Sequence, residues 1–248
     1  MNKVLTSGTA LLKKGAESIG LELRANRFSN PFKLQQRLIG AASPLIFDVG
    51  AHVGLTCKAY RELFPDARVY AFEPFPESHS KLVRTVAEDA GITVFQLALS
   101  DSCGHRTFHV NPAEATNSLL PTDPSASRVW GAGLLESQGT IEVESQTLDA
   151  FCSERGIVSI DILKIDVQGA EYAVLQGARA LLQARAIGLV YFEVILAATY
   201  RGQHRLHEYL QLMDSHDYCL LDYFNPVRKD GRLLQFDLLF AAPAIASA

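Results

Sequence analysis

Short apolar runs bounded by Gly, Asp and Pro alternate with segments of helical spacing along most of the chain. Seven runs have the length and the composition of strands, and they lie at 45–49, 68–72, 92–99, 160–165, 187–194, 218–222 and 234–240. Segments between them, such as 55–64, 77–89 and 171–182, repeat apolar residues with the period of an amphipathic helix. Because strands that alternate with helices form βαβ units, we predict an α/β fold with a mostly parallel sheet covered on both faces.

Three segments depart from this alternation. Residues 1–43 have loose helical spacing with a break at Asn30-Pro31 and predict a helical extension before one domain at 44–248. Residues 100–146 are rich in Ser, Thr, Asn, Gly and Pro, and we expect this long insertion to fold over a ligand at the carboxyl edge of the sheet. The last two predicted strands are separated only by 225–232, so we expect a hairpin and an antiparallel last strand.

Composition and charge limit the partners. The chain has 248 residues, 48% of them hydrophobic, and 23 basic against 27 acidic side chains give a net charge of −4. This balance provides no positive field for nucleic acid, so we expect a small, weakly charged partner and no nucleic acid. Four separated cysteines indicate reduced thiols, and no run reaches the roughly 20 apolar residues of a transmembrane segment, so we expect a cytoplasmic protein. The N-terminal helices could provide a homo-oligomer contact or simply cover the sheet.

The first predicted strand ends in a turn that suits a nucleoside. Asp48 ends the strand, and Gly50 and Gly54 allow a tight turn into a helix whose first N–H groups are free. Glu73 ends the second strand, where a carboxylate can accept hydrogen bonds from both hydroxyls of a ribose. We therefore predict a nucleoside site at the first two strand ends.

Charge favours one cofactor at this site. A dinucleotide fingerprint has a second glycine where this chain has His52, and the carboxylate of Asp48 opposes phosphate. The same carboxylate suits the ammonium and sulfonium of S-adenosylmethionine. Two alternatives stay open: an NAD-dependent oxidoreductase, which lacks a recognisable Tyr-x-x-x-Lys pair here, and a non-catalytic nucleoside-binding scaffold.

A second group of polar residues lies at the ends of the fourth and fifth predicted strands. Lys164 interrupts a buried run and needs a partner, for which Asp166 and Glu193 are the candidates. Because carboxyl ends of parallel strands share one edge, we expect Asp166, Glu171 and Glu193 to converge there.

Five motifs in order resemble the FkbM family of S-adenosylmethionine-dependent methyltransferases. They are Asp-Val-Gly-Ala-His-Val-Gly at 48–54, Phe-Glu-Pro at 72–74, Leu-Ala-Leu-Ser-Asp at 97–101, Thr-Leu-Asp at 147–149 and Lys-Ile-Asp-Val-Gln-Gly-Ala-Glu at 164–171. The resemblance implies a Rossmann-like sheet of seven strands with the last one antiparallel. It also implies O-methylation of a hydroxyl on a sugar, a glycan precursor or a natural-product small molecule. The family usually has Asn at the position of His52, which either bonds the cofactor carboxylate or caps the helix.

The motifs assign roles to particular residues. The residues expected to bind the cofactor are Asp48, Gly50, Ala51, His52, Gly54, Glu73, Pro74, Leu99, Ser100 and Asp166. Asp166 is the first candidate for the base and Glu193 the second, with Lys164 beside them. Alternatively, Asp166, Glu171 and Glu193 hold Mg²⁺, unless Lys164 neutralises them in a structural ion-pair network. Position in the insertion suggests that Trp130, Arg128 and 117–118 close an acceptor pocket.

Overall fold

The structure is a computed structural model, and it describes residues 30–247. Its helices are α1 Pro31–Leu38, α2 Leu55–Leu63, α3 Pro76–Val86, α4 Ala126–Trp130, α5 Leu148–Glu154, α6 Glu171–Gln176, α7 Arg179–Gln183, α8 Leu206–Ser215 and α9 Pro243–Ala246. Its strands are β1 Leu45–Val49, β2 Arg68–Phe72, β3 Ile92–Phe95, β4 Ala98–Leu99, β5 Gly104–Val110, β6 Gly139–Gln146, β7 Ile160–Ile165, β8 Ile187–Ile195, β9 Cys219–Lys229 and β10 Arg232–Ala241. No helix in this part of the chain combines the length and the apolar character needed to cross a bilayer.

Seven strands form the main sheet in the order β3-β2-β1-β7-β8-β10-β9. All neighbours are parallel except β10, which is antiparallel to both β8 and β9. This confirms the predicted Rossmann-like sheet. The chain runs outward from β1 to β3 and then crosses to β7 on the other side of β1. In open α/β sheets ligands bind at such a reversal, outside the carboxyl ends of the strands.

The sheet is buried on both faces, which explains why its strands are apolar throughout. All residues of β1 are buried. On one face Phe47, Phe72 and Phe151 form an aromatic cluster, with ring centroids 4.8 to 5.8 Å apart. On the other face Tyr60 of α2 and Leu82 of α3 are fully buried in a second apolar cluster. The two apolar layers hold the strand ends, and hence the site, in fixed positions.

The prediction of a single strand over 92–99 is wrong. The strand ends at Phe95, and Ala98–Leu99 pairs instead with β6 in a second, three-stranded sheet of order β4-β6-β5. The insertion is therefore more regular than its composition indicates, since β5 and β6 pair antiparallel from Gly104 to Val110. The sequence has short strand-like pieces within the insertion, at 106–110 and 140–143, and the observed strands β5 and β6 contain them and are longer.

Two more boundaries differ from the prediction. The helix expected over 171–182 is interrupted after Gln176, giving α6 and α7. The connection expected over 225–232 is only a two-residue turn at Asp230-Gly231, where φ is 50° and 76°, values that suit a tight hairpin. Asn225 lies inside β9 with φ 50°, close to irregularities in the pairing with β10. The hairpin and its antiparallel direction are confirmed.

Only part of the predicted N-terminal extension can be described. Residues 1–29 lie outside the described part of the chain. The helix α1 begins at Pro31, directly after the predicted break, and packs on α2, where the Tyr60 hydroxyl donates to Gln35 Oε1 at 2.8 Å. The domain boundary at 43/44 stays a prediction.

Candidate active site

A cavity opens at the carboxyl ends of β1, β2 and β7, at the reversal of strand order. Its walls are the turn after β1, the segment after β2, residues 97–99 and residues 166–168. Side chains from the insertion, including Phe108 and Asn117, form a roof over it. The cavity therefore lies where the sequence placed a nucleoside site.

The tight turn after β1 is required by the packing of the sheet. Gly50 has φ +78°, and a Cβ at this position would lie 1.9 Å from the backbone oxygen of Asp166. The N–H groups of Gly50 and Ala51 both donate to the oxygen of Phe72, at 3.0 Å each. Gly54, with φ +88°, makes room for Leu82 of α3. Among the predicted cofactor residues of this turn, Gly50 and His52 line the cavity, whereas Ala51 and Gly54 do not border it.

Glu73 is the acidic group on the wall at the end of β2. Its carboxylate accepts hydrogen bonds from the backbone N–H groups of His52 and Phe75, at 2.9 Å each. Burial raises the pKa of Glu73 to about 7. A carboxylate has about four acceptor positions, so two remain for ligand hydroxyls. Pro74 and Leu99 also line the cavity, whereas Ser100 is buried outside it.

Asp48 does not border the cavity, and this corrects the charge argument made from the sequence. Its buried carboxylate lies 2.9 Å from Nζ of Lys164 and accepts from Sγ of Cys57 at 3.1 Å. Lys164 is thus paired mainly with Asp48, a partner that the sequence did not indicate, and lies 3.7 Å from Asp166. Although burial alone would lower it, the charges of Asp48 and Asp166 raise the pKa of Lys164 above its ordinary value. Since Lys164 neutralises Asp48, the prediction that Asp48 repels phosphate is wrong.

Asp166 lines the cavity with 43% of its side chain exposed. Gln168 holds it in place, because Gln168 Nε2 donates to Asp166 Oδ1 at 2.9 Å and to Glu193 Oε2 at 3.2 Å. The other end of the Gln168 amide accepts from the hydroxyl of Tyr200 at 3.2 Å. Gln168 has φ 57°, an uncommon conformation for a residue other than glycine, which suggests that the site fixes it there. The sequence argument missed Gln168, although it lies in the most specific motif.

The carboxylates of Asp166, Glu171 and Glu193 come together within 4.8 Å, but only Asp166 reaches the cavity. Glu193 also accepts from Nε2 of Gln235 at 2.7 Å, and burial together with the charges of Asp166 and Glu171 raises its pKa well above the ordinary value. Glu171 Oε1 accepts two backbone N–H groups, and burial raises the pKa of Glu171 to about 7.

Oxygen donors of this kind suit magnesium, and Glu171 Oε2 has no partner among the described residues. A metal shared by all three carboxylates would have to displace the Gln168 amide that now joins two of them. The magnesium alternative therefore stays a prediction.

His52 does not cap the helix α2. Gly54 occupies the N-cap position, and no side chain caps this end. The imidazole of His52 lines the cavity instead, and its Nε2 is buried without a hydrogen-bond partner in the described chain. Burial lowers the pKa of His52, which favours the neutral ring.

A second, smaller cavity adjoins the first across Gln168, which lines both. Trp130 and Tyr200 contribute aromatic walls, and Nε1 of Trp130 donates to Oγ1 of Thr199 at 2.7 Å. Of the residues predicted to close an acceptor pocket, Trp130 lies here and Asn117 lies in the roof of the first cavity, whereas Arg128 is exposed.

A family model for the methyltransferase FkbM domain matches residues 48–220. This chain belongs to the FkbM methyltransferase family. The 2-O-methyltransferase NoeI of Sinorhizobium fredii is 32% identical over 184 residues, which cover 72% of this chain and 74% of NoeI. The 31-O-demethyl-FK506 methyltransferase FkbM of Streptomyces tacrolimicus is 31% identical over 54% of this chain and 58% of its own length. The hexuronic acid methyltransferase AglP of Haloferax volcanii is 24% identical over 56% of this chain and 52% of its own.

As a member of this family the chain is an S-adenosylmethionine-dependent O-methyltransferase. The FkbM domain decides against the alternative of an NAD-dependent oxidoreductase. The cavity suits the family's cofactor, because it offers a carboxylate for ribose hydroxyls in Glu73 and buried, unpartnered nitrogens on His52 and Asn117.

Proposed function

We propose that this FkbM-family enzyme methylates a hydroxyl of a sugar, a glycan precursor or a natural-product small molecule, with S-adenosylmethionine bound in the cavity between Glu73 and Gln168. The main support for the proposal is one cavity at the reversal of strand order. It is lined both by Glu73, whose carboxylate suits ribose hydroxyls, and by the half-exposed Asp166. Two of the relatives are named for acceptors of this kind, a hexuronic acid and the demethyl form of FK506.

The walls suggest how the cofactor lies. Glu73 accepts from the ribose hydroxyls, and the apolar residues 97–99 with Phe108 pack against the base. His52 and Asp166 line the part of the cavity that would then hold the amino-acid portion and the sulfonium. Gln168, which lies between this end of the cavity and the second cavity, would then be next to the reacting methyl group.

The chemical step requires alignment and the removal of one proton. When bound, S-adenosylmethionine supplies the methyl group to the acceptor oxygen. Asp166 accepts the proton that the hydroxyl loses, and a positioned base of this type contributes about 10²–10⁴ in rate. Gln168 orients Asp166 through Oδ1, and Nζ of Lys164 lies 3.7 Å from Oδ2. Glu193, the second candidate from the sequence, lies behind Gln168 and acts through it.

The second cavity is the place for the acceptor. Trp130 provides a flat ring whose orientation is fixed by its bond to Thr199, and sugar rings bring C–H faces to such surfaces. Gln168 and Gln235 supply polar atoms near the reacting end. An acceptor hydroxyl that extends from the second cavity past Gln168 would therefore lie next to Asp166.

A transfer assay tests the proposal. Purified protein with S-adenosylmethionine is offered monosaccharides, uronic acids, glycolipid precursors and macrolide alcohols, and the product is analysed by mass spectrometry. We expect one added methyl on a hydroxyl oxygen and one S-adenosylhomocysteine per product. Binding of S-adenosylhomocysteine without turnover on any hydroxyl compound would favour the non-catalytic scaffold.

Chelation separates the two assignments of the carboxylate cluster. If Asp166 acts as the base without a metal, turnover is unchanged after exhaustive treatment with EDTA. A loss that added Mg²⁺ restores would instead assign Asp166, Glu171 and Glu193 as metal ligands, as catalysis by a bound cation would require.

A further inference from the structure

Asn117 lies in the roof of the cavity, and the protein holds only one end of its amide. The side chain is buried, with 7% of the residue exposed, and Oδ1 accepts from the backbone N–H of Asn111 at 2.8 Å. Since a backbone N–H can only donate, the atom that it meets must be the carbonyl oxygen of the amide. Nδ2 of Asn117 is therefore a fixed donor, and it has no partner in residues 30–247.

A buried donor without an acceptor is uncommon in a folded protein, because it has lost its water and gained nothing in exchange. Nε2 of His52 is also buried without a partner in residues 30–247, and the tautomer of the ring decides whether it donates or accepts. Asn117 and His52 line the same cavity. A ligand that satisfies Nδ2 of Asn117 must therefore bring an acceptor atom to this region.

The chain places Asn117 at the end of the cavity opposite the ribose site. The next residue, Ser118, donates through its hydroxyl to the backbone oxygen of Gln168 at 2.8 Å, which fixes this part of the roof beside Asp166 and Gln168. Glu73 marks the other end. The amino-acid portion of the cofactor extends away from the ribose, and its carboxylate is the strongest acceptor that the cofactor has.

Glu114 lies in the same roof, and its negative charge would oppose binding of the cofactor carboxylate if nothing compensated it. Both oxygens of Glu114 accept from Nζ of Lys81, at 2.6 and 2.7 Å, and one of them also accepts from the hydroxyl of Ser78 at 3.2 Å. The negative charge of Glu114 is thus compensated within the roof.

On the basis of the proposed function, we propose that Asn117 is a cofactor-binding residue whose Nδ2 donates to the carboxylate of S-adenosylmethionine, with His52 on the same group. The insertion then contributes directly to donor binding, in addition to covering the cavity. The nucleoside and thioether portions of the cofactor bind without this contact.

Two ligands and two variants test the assignment. S-Adenosylhomocysteine carries the amino-acid portion, whereas 5′-methylthioadenosine keeps the nucleoside and thioether and lacks the carboxylate. Asn117→Asp retains the oxygen that accepts from Asn111 and replaces the donor by a negatively charged oxygen. Gln138→Glu places the same charge change on an exposed residue of the same insertion.

We expect calorimetric titration to show S-adenosylhomocysteine binding weakened about tenfold or more in Asn117→Asp, as for loss of a hydrogen bond to a charged group. Binding of 5′-methylthioadenosine should be unchanged, and Gln138→Glu should match the wild type for both ligands. An equal loss for both ligands, no loss for either, or the same loss in Gln138→Glu would overturn the assignment. Failure of the wild type to bind S-adenosylhomocysteine would instead overturn the proposed function, and this assignment with it.

Discussion

At the scale of single residues, the carboxylates of the site differ in what they face. Asp166 and Glu193 share one Gln168 amide, yet only Asp166 borders the cavity. Glu193 is buried, and this burial together with the charges of Asp166 and Glu171 raises its pKa. Its location at the cavity therefore favours Asp166 as the base.

The first prediction compares these two acids. Asp166→Asn should lower kcat by about 10²–10⁴, the usual contribution of a positioned base. Its affinity for S-adenosylhomocysteine should fall by much less than kcat, because Glu73 and the apolar wall at 97–99 still hold the nucleoside. Glu193→Gln should lower kcat by much less, about tenfold at most, as expected of a residue that acts through positioning. Steady-state kinetics and calorimetry measure both, and equal losses of kcat in the two variants would contradict the assignment.

The second prediction concerns pH and Glu73. Glu73 is protonated below its pKa of about 7 and ionised above it. Because ribose hydroxyls donate to the ionised carboxylate, the ligand binds the deprotonated protein more tightly. Affinity for S-adenosylhomocysteine should therefore fall as pH drops below 7, by up to about tenfold per pH unit, and level off above it. Titrations between pH 6 and pH 8 test this. Glu73→Gln should bind more weakly and without this pH dependence, and a dependence that persists in the variant would assign it to another group.

The sequence predicted some of these residues and not others. Glu73 could be placed from its position at the end of β2, because a strand end fixes the location of its last side chain. The pairing of Lys164 with Asp48 could not, since it depends on β1 and β7 being neighbours with Asp48 opposite Lys164. Gln168 lies in the most specific motif and Asn117 in the segment assigned to an acceptor pocket, but nothing in the sequence indicates the contacts that either side chain makes.

At the scale of elements, Gly177 shows how a contact between segments interrupts a helix. Its φ is −74°, an ordinary helical value. A Cβ there would nevertheless lie 2.0 Å from the backbone oxygen of Ser100, which follows β4. The sequence predicted one helix over 171–182 because the apolar spacing continues across this close approach. The second sheet was missed for a related reason, since β4 has only two residues and takes its partner from the far end of the insertion.

The third prediction uses this contact. In a helical conformation Gly→Ala usually stabilises a protein by about 0.4–1 kcal/mol. Gly177→Ala should instead lower the free energy of unfolding by about 1–3 kcal/mol, the range for overpacking. Gly40→Ala is the matched control, because a Cβ at Gly40 would meet nothing within 4 Å. Denaturant unfolding compares them, and stabilisation by Gly177→Ala would show that Ser100 does not approach as described.

At the scale of the whole molecule, the fold brings together segments that are distant in the sequence. The turn after β1, the end of β2 and the end of β7 meet at one edge, and the insertion between β4 and β6 covers them. The main sheet could be predicted because buried strands are apolar along their whole length. The insertion could be expected to cover the site, but the individual roof residues could not be predicted, because they depend on the shape of the cavity below them.

The most direct measurement is a crystal structure of the protein with S-adenosylhomocysteine. We expect density for the nucleoside at Glu73 and for the homocysteine portion extending toward Gln168 under the roof formed by Asn117. An unfilled cavity at saturating ligand, or the ligand bound at another place on the protein, would contradict the account.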